Sequence, residues 1–335
     1  MTEYVELHAR SAFSFLEGAS MPEFLIQQAA GIEMPAMALM DRNGVYGAPR
    51  FHMEGQRRGV RAHIGAEIGM SDMGPRLPPA SYLPHQHPIE PVRLPLLVES
   101  RTGYKNLCRL ITRFKLRESM KAEGAALTSD FEEFGEGLVC LTGGSEGPLA
   151  AALASGGYDA AQESVERLAR LFGQKNVYVE IQRHFDREEE HRNRAAIRIA
   201  RSLNLPLLAT GGVNYATQYE REILDLFTCI RHGTTLDTAG RLLTTNAERH
   251  LRSAREMRQL FYDYPDAIAN TRELSTRLQF ELTGLGYEFP AYPYRTGRRW
   301  THFFASGWRK ASAAAIFRRM TLRSTSELLS RQSAN

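Results

Sequence analysis

The chain has 335 residues, 43% of them hydrophobic and 24% charged, enough for one large or two modest domains with a real core. No run approaches the ~18 apolar residues of a membrane span, the acidic start Met1-Thr2-Glu3-Tyr4-Val5-Glu6 does not read as a secretory signal, and three distant cysteines (Cys108, Cys140, Cys229) give neither a disulfide framework nor a zinc spacing, as expected of a cytoplasmic protein. The net charge of +4 is uneven: residues 294–335 hold nine Lys/Arg and one acid, so residues 1–293 keep 33 basic against 37 acidic side chains and offer no compositional case for a basic binding face.

In chain order, Tyr4-Val5-Glu6-Leu7 alternates like a short strand, and residues 21–31 read as a helix with Ser20 at its N-cap and Gly31 at its stop. The continuous apolar run Ala36-Met37-Ala38-Leu39-Met40 suits a strand buried on both faces. Residues 51–58 form a short helix ended by Gly59, and residues 62–68 another strand. This rhythm predicts right-handed crossovers and a largely parallel sheet or barrel. Six prolines between residues 69 and 92, with His85 and His87, mark a loop or insertion rather than a strand.

Strands are expected again at 94–99, 137–142, 177–181 and 207–210, with helices at 103–114, 159–172 and 188–203. The glycine-rich run from Gly143 to Gly147 lacks the Lys of a phosphate loop and reads as a tight turn. Residues 218–285 are helix-rich, with a capping box at Ser253-Ala254-Arg255-Glu256. Pro290, Pro293 and Gly297 mark a linker before a basic, Ser- and Ala-rich tail.

Three stretches at strand ends carry the functional signal: Leu7-His8-Ala9-Arg10-Ser11, Met40-Asp41-Arg42-Asn43-Gly44 and Ala209-Thr210-Gly211-Gly212-Val213-Asn214-Tyr215. Open α/β sheets and α/β barrels place their chemistry at that end. Two histidines two apart on a strand converge on one ion, because alternate residues share a face. Here the second position is Arg10. Asp41 is followed by Arg42, whose permanent charge repels a dication but beside Asp41 and Glu67 could supply the compensation a metal would give. Glu67 and His184 end two further strands, so His8, Asp41, Glu67 and His184 are the ligand types that remain.

These segments resemble the N-terminal part of bacterial C-family DNA polymerases, and most of all their error-prone, translesion branch. The resemblance is carried by Glu6-Leu7-His8 with Ser11 to Ser20, by Asp41 with Gly44-Val45-Tyr46-Gly47, and by Ile64-Gly65-Ala66-Glu67. Thr102 to Leu110, Glu180-Ile181-Gln182-Arg183-His184, Leu226 to Leu236 and Asn246 to Leu251 extend it to about residue 293. The resemblance implies a polymerase-and-histidinol-phosphatase (PHP) domain over residues 1–216, an α/β fold built as a distorted seven-stranded β/α barrel. A helical segment, 217–293, would lead towards a polymerase palm, and a divergent basic tail, 294–335, is expected to be disordered, either an out-of-frame continuation or the scar of a truncated gene.

Intact relatives hold Zn2+ or Mn2+ in the barrel and Mg2+ in the palm. Carried over position by position, the resemblance implies that Arg10, Arg42, Arg93, Gly144, Gly212 and Asn214 stand where ligands would be, so the site is read as metal-free and hydrolytically silent, with no cofactor and no catalytic residue in this chain. The leading expectation is a structural portion of a DNA repair and replication polymerase that meets DNA and other polymerase domains or subunits. A residual phosphoesterase or 3'-5' exonuclease, and a nucleic-acid-binding module acting through the tail, are the alternatives.

Overall fold

The run from Ala36 to Met40 splits by pleat into two cores. Ala36, Ala38 and Met40 face one apolar cluster, while Met37 and Leu39 face a larger one formed with the helices. The same alternation holds along the other strands, so the sheet curls around an interior of its own. In this computed structural model residues 4–75, 91–117, 124–283 and Leu285 are described. The described residues up to Thr283 belong to one compact unit. The expected tail and the histidines at 85 and 87 lie outside the described residues.

The elements follow the chain as α1 (Pro22–Gly31), β1 (Ala36–Arg42), α2 (Ala48–Arg58), β2 (Arg61–Pro75), β3 (Pro91–Val98), α3 (Arg101–Arg117), α4 (Asp130–Phe134) and β4 (Leu138–Leu141). Next come α5 (Pro148–Phe172), β5 (Val177–Ile181), α6 (Arg187–Ser202), β6 (Leu207–Ala209), α7 (Arg221–His232), α8 (Leu236–Ala239), α9 (Ala254–Leu260) and α10 (Pro265–Arg277). Helix α2 stops where Gly59 takes φ +71°, a left-handed cap that glycine adopts without steric cost. The capping box expected at Ser253 is present, its hydroxyl and the Glu256 carboxylate bonding each other's backbone.

The sheet is six-stranded, in the order β1-β2-β3-β4-β5-β6. Six of the seven expected strands are thus present. The first expected strand is an extended segment that pairs by single bridges, Glu6 with Met37 and Ala9 with Val213. Its hydrogen bonds reach β1 on one side (Ala38 N to Glu6 O, 2.8 Å) and the turn after β6 on the other (Arg10 N to Val213 O, 2.8 Å). It therefore lies between the two edges of the curled sheet.

The sheet is not uniformly parallel, because β3 runs antiparallel to both β2 and β4. The chain reaches β3 with no helical crossover among the described residues, and a parallel pair needs one. Strand pairing also extends to Pro75 and resumes at Pro91, so the ends of the proline-rich stretch are strand rather than loop. Ser20 is not the N-cap of α1; Met21 takes that position, and the Ser20 hydroxyl binds Glu220 and the Ala216 amide instead.

The interior cluster draws Val5 and Leu7 from the N-terminal segment, Leu97, Val139, Leu141, Tyr178 and Leu208 from β3 to β6, and Leu274 and Leu278 from α10 and its end. Helix α10 thus plugs one end of the curled sheet. Its Thr271 hydroxyl accepts from Val5 N (3.2 Å), Asn270 donates to Leu207 O (2.8 Å), and Ser275 bonds His63 (2.8 Å). Arg183 ties the same helical segment to the sheet, forking onto Asp263 (2.6 and 2.8 Å) and lying over Phe261 and Tyr264.

Candidate functional site

Along β5 the inward positions read Tyr178, Glu180, Gln182, and along β2 His63, Gly65, Glu67, so the interior passes from apolar to charged towards one end. Reversed β3 brings Arg93 to that end, opposite Gly69. There a cavity of about 170 Å³ opens, lined by His8, Arg10, Glu17, Glu67, Arg93 and Glu146 together with Gly144, Gln182, Gly212 and Asn214.

His8 sits between two carboxylates. Its Nδ1 is 2.6 Å from Glu180 Oε1 and its Nε2 2.6 Å from Glu67 Oε1. Burial pushes the imidazole down, but the two carboxylates outweigh it and raise its pKa to about 10. The ring is therefore an imidazolium whose two N–H groups both donate. Arg10 lies along the other side of Glu67, with Nε 2.6 Å from Oε2 and Nη2 2.8 Å from Oε1, and Nη2 also meets Glu146. Burial would raise the pKa of Glu67, but Arg10 and His8 hold it well below the usual range.

A second knot centres on Glu17. Arg93 forks onto it (2.5 and 2.8 Å), Arg42 donates at 2.6 Å, and Arg231 of α7 is 3.1 Å away. Arg93 also reaches Glu146 at 3.2 Å, which joins the two knots into one network. Arg42 therefore compensates Glu17, and neither Asp41 nor Glu67. Adjacent residues on β1 point to opposite sides, which separates Asp41 from Arg42.

Asp41 faces away from the cavity. It accepts from the Ser11 amide and from the Ser11 and Ser14 hydroxyls, all at 2.9 Å, so it shapes the loop after His8. Burial raises its pKa. His184 is also spent elsewhere: Nδ1 bonds Glu189 (2.8 Å) and Nε2 bonds Gly211 O (2.7 Å). Of the four residual ligand types, the structure brings together only His8 and Glu67.

Gly144 and Gly212 border one side chain. A Cβ at Gly144 would lie 2.5 Å from Gln182 Oε1, and one at Gly212 would lie 2.7 Å from the same amide. That amide donates to Glu180 Oε1 (2.7 Å), which also accepts from the Thr210 hydroxyl. Glu180 Oε2 is buried with no hydrogen-bond partner among the described residues. Asn214 lines the cavity and uses its backbone to hold Ala19 (2.8 Å) and Arg249 (2.9 Å).

Sequence reasoning missed Glu17, Glu146, Glu180, Gln182 and Arg231. Glu180 and Gln182 were reachable by parity, since both face inward on β5 if Tyr178 does. Glu6 was missed too. It is fully buried, accepts from Tyr4 Oη (2.6 Å), His8 N (2.9 Å) and Gly211 N (2.8 Å), and burial raises its pKa to about 7. Among the described residues no three His, Cys, Asp or Glu side chains are grouped to hold a metal ion.

A curled α/β sheet with a charged cavity at one end of its strands defines the class: an α/β protein whose pocket is lined by arginines and carboxylates. The chain belongs to the PHP domain family, whose model matches residues 6–184, more than half of its length. It is 34% identical over 298 residues to the error-prone DNA polymerase of Anaeromyxobacter sp. (strain K), and 32% identical over 298 residues to that of Mycobacterium tuberculosis (strain ATCC 25618 / H37Rv). These matches cover 87% and 88% of this chain but 24% and 26% of the relatives, so the chain spans about a quarter of their length. Among solved structures, a two-domain protein from Bacteroides vulgatus containing a predicted PHP-like metal-dependent phosphoesterase matches at 13% identity with a TM-score of 0.38, over 81% of this chain and 64% of that one. No helix among the described residues is long and apolar enough to cross a membrane.

Proposed function

We propose that this chain is the PHP portion of an error-prone DNA polymerase of bacterial DNA repair and replication, acting as a metal-free scaffold. One observation carries the reading: both oxygens of Glu67 accept hydrogen bonds from cations of the protein itself, His8 and Arg10. A divalent ion needs several oxygen or nitrogen lone pairs at once. The doubly donating His8 offers none, the guanidinium groups of Arg10, Arg42 and Arg93 offer none, and Gly144 and Gly212 have no side chain. The orphaned Glu180 oxygen beside His8 falls far short of a donor set.

In this reading Arg10, Arg42, Arg93, Gly144, Gly212 and Asn214 are vestigial metal-site positions, and the pocket performs no hydrolysis. Nucleotide addition would reside in the three quarters of the relatives with no counterpart in this chain, and DNA and those polymerase domains would be its partners. The residual phosphoesterase gains no support from the cavity, because Glu67 and Glu17 already accept from protein cations and His8 has no free lone pair.

The test is metal content of protein purified without chelator, beside thermal unfolding with and without EDTA and a 3'-5' exonuclease assay with added Mn2+ or Zn2+. Substoichiometric metal, an unmoved melting temperature and no cleavage are expected. Stoichiometric metal with a lower melting temperature on chelation would be linkage evidence for a bound ion and would overturn the reading.

A further inference from the structure

Helix α7 is amphipathic in the wrong sense for a surface helix. Its buried face carries Leu224, Asp225, Thr228 and Cys229, while Ile223, Leu226 and Ile230 stand 40%, 50% and 66% exposed. These three are spaced three and four residues apart and share one face. Tyr219, in the turn before α7, and Leu236, in α8, are exposed as well. A continuous apolar stripe of this kind marks an interaction surface rather than scattered surface hydrophobes.

The position of the stripe in the chain says what covers it. The PHP model ends at residue 184, before α7. The likeness to error-prone polymerases covers 87% of the chain, and a stretch that long includes residues 221–232 wherever it is placed. So the stripe lies on a part shared with the polymerases and beyond the reach of the PHP model. Its extent argues against a second copy of this chain: three half-exposed side chains on α7, with Tyr219 and Leu236 nearby, fall short of the roughly 20–30 residues a side of a free-standing interface. Small contacts hold when chain connectivity raises the effective concentration.

The geometry points to the Ile223–Leu226–Ile230 face of α7 as the seat of an apolar helix or sheet face from the polymerase portion of an error-prone DNA polymerase. This rests on the scaffold reading above and names its contact. The opposite face of the same helix lines the cavity through Leu224, Thr228 and Arg231, so the seat would lie directly behind the pocket wall.

The test uses the full chain with 13C-labelled isoleucine methyls, titrated with the Anaeromyxobacter sp. (strain K) polymerase lacking the quarter that this chain matches. Saturable shifts centred on the Ile223 and Ile230 methyls are expected, with affinity falling at least tenfold in Leu226→Glu and unchanged in the exposed control Tyr262→Glu. Unaltered methyl spectra elsewhere show that the variants remain folded. No shift at any attainable concentration, shifts centred elsewhere, or concentration-dependent shifts of the chain alone that Leu226→Glu removes would each overturn the docking. A chain that fails to dock and still binds no metal discards the seat and keeps the scaffold; one that docks and binds stoichiometric metal keeps the seat and discards the metal-free reading.

Discussion

Arg10 lies flat against Glu67, its Nε 2.6 Å from one carboxylate oxygen and its Nη2 2.8 Å from the other. A bidentate pair of this geometry gives a buried carboxylate the compensation that a cation would give, and it does so without dissociating. Removing Arg10 leaves the buried Glu67 carboxylate with His8 as its remaining cation, and breaking a buried pair costs up to about 3–5 kcal/mol. Arg10→Met is therefore expected to lower the unfolding free energy by up to that amount, read as a lower urea midpoint at unchanged slope. Arg10→Met combined with Glu67→Gln should recover a good part of the loss, because it removes both charges. Equal loss in the single and double variants would show that the pair contributes packing and not charge.

How much of this was readable in the amino-acid sequence depends on the range of the interaction. The strand runs, the glycine stop at Gly59 and the capping box at Ser253 are local signals and were legible. So was the end of the sheet at which polar residues gather. The pairing of His8 with Glu180 spans 172 positions, and that of Arg93 with Glu17 spans 76, and nothing local encodes them. The reversal of β3 was hidden by the absence of any periodic pattern between residues 76 and 90. The association of Asp41 with Arg42 misled because sequence neighbours on a strand face apart.

His8 makes the fold pH-sensitive in one direction. Its folded pKa, about 10, lies above the reference 6.5, so the imidazolium contributes stability that is complete below pH 6.5 and is lost as pH rises towards 10. Chemical unfolding at pH 7 and at pH 9.5 should show stability falling by up to ~1.4 kcal/mol per pH unit, the slope of a single proton. His8→Gln should be less stable at pH 7 and should flatten that slope. A wild-type slope that survives the substitution would assign it to another group.

Glu6 acts the same way in a lower window. Burial raises its pKa from 4.5 to about 7, so the native state holds a proton that the unfolded chain has released, and stability falls as pH rises from about 4.5 to 7. Glu6→Gln keeps the acceptor for His8 N or Gly211 N without the charge. It is expected to be at least as stable as the parent at pH 7.5 and to lose the slope between pH 5 and 7, as read from thermal melts across that range.

The two cavity glycines are coupled to Gln182. Gly144→Cys places a Cβ 2.5 Å from the Gln182 amide oxygen, and displacing that amide breaks its bonds to Glu180 and Thr210. The cost of leaving buried partners unsatisfied is about 1–3 kcal/mol. Gly144→Cys should therefore destabilise by roughly that amount in the parent and by clearly less in a Gln182→Ala background, a double-mutant cycle with positive coupling. Additive effects would mean that the glycine and the amide do not share the space.

The interior core crosses the boundary that the sequence suggests at residue 216. Leu274 and Leu278 are fully buried among Val5, Leu7, Met40 and Leu208, so α10 supplies part of the packing inside the curled sheet. Removing a buried leucine side chain costs about 2–5 kcal/mol through lost transfer energy and the cavity left behind. Leu274→Ala should lower stability by that amount, and a chain cut after residue 216, which loses both leucines and exposes the interior they close, should fail to show a cooperative thermal transition. A residue 1–216 fragment that melts cooperatively near the parent temperature would establish the curled sheet as independent of α10 and return that helix to the role of a connector.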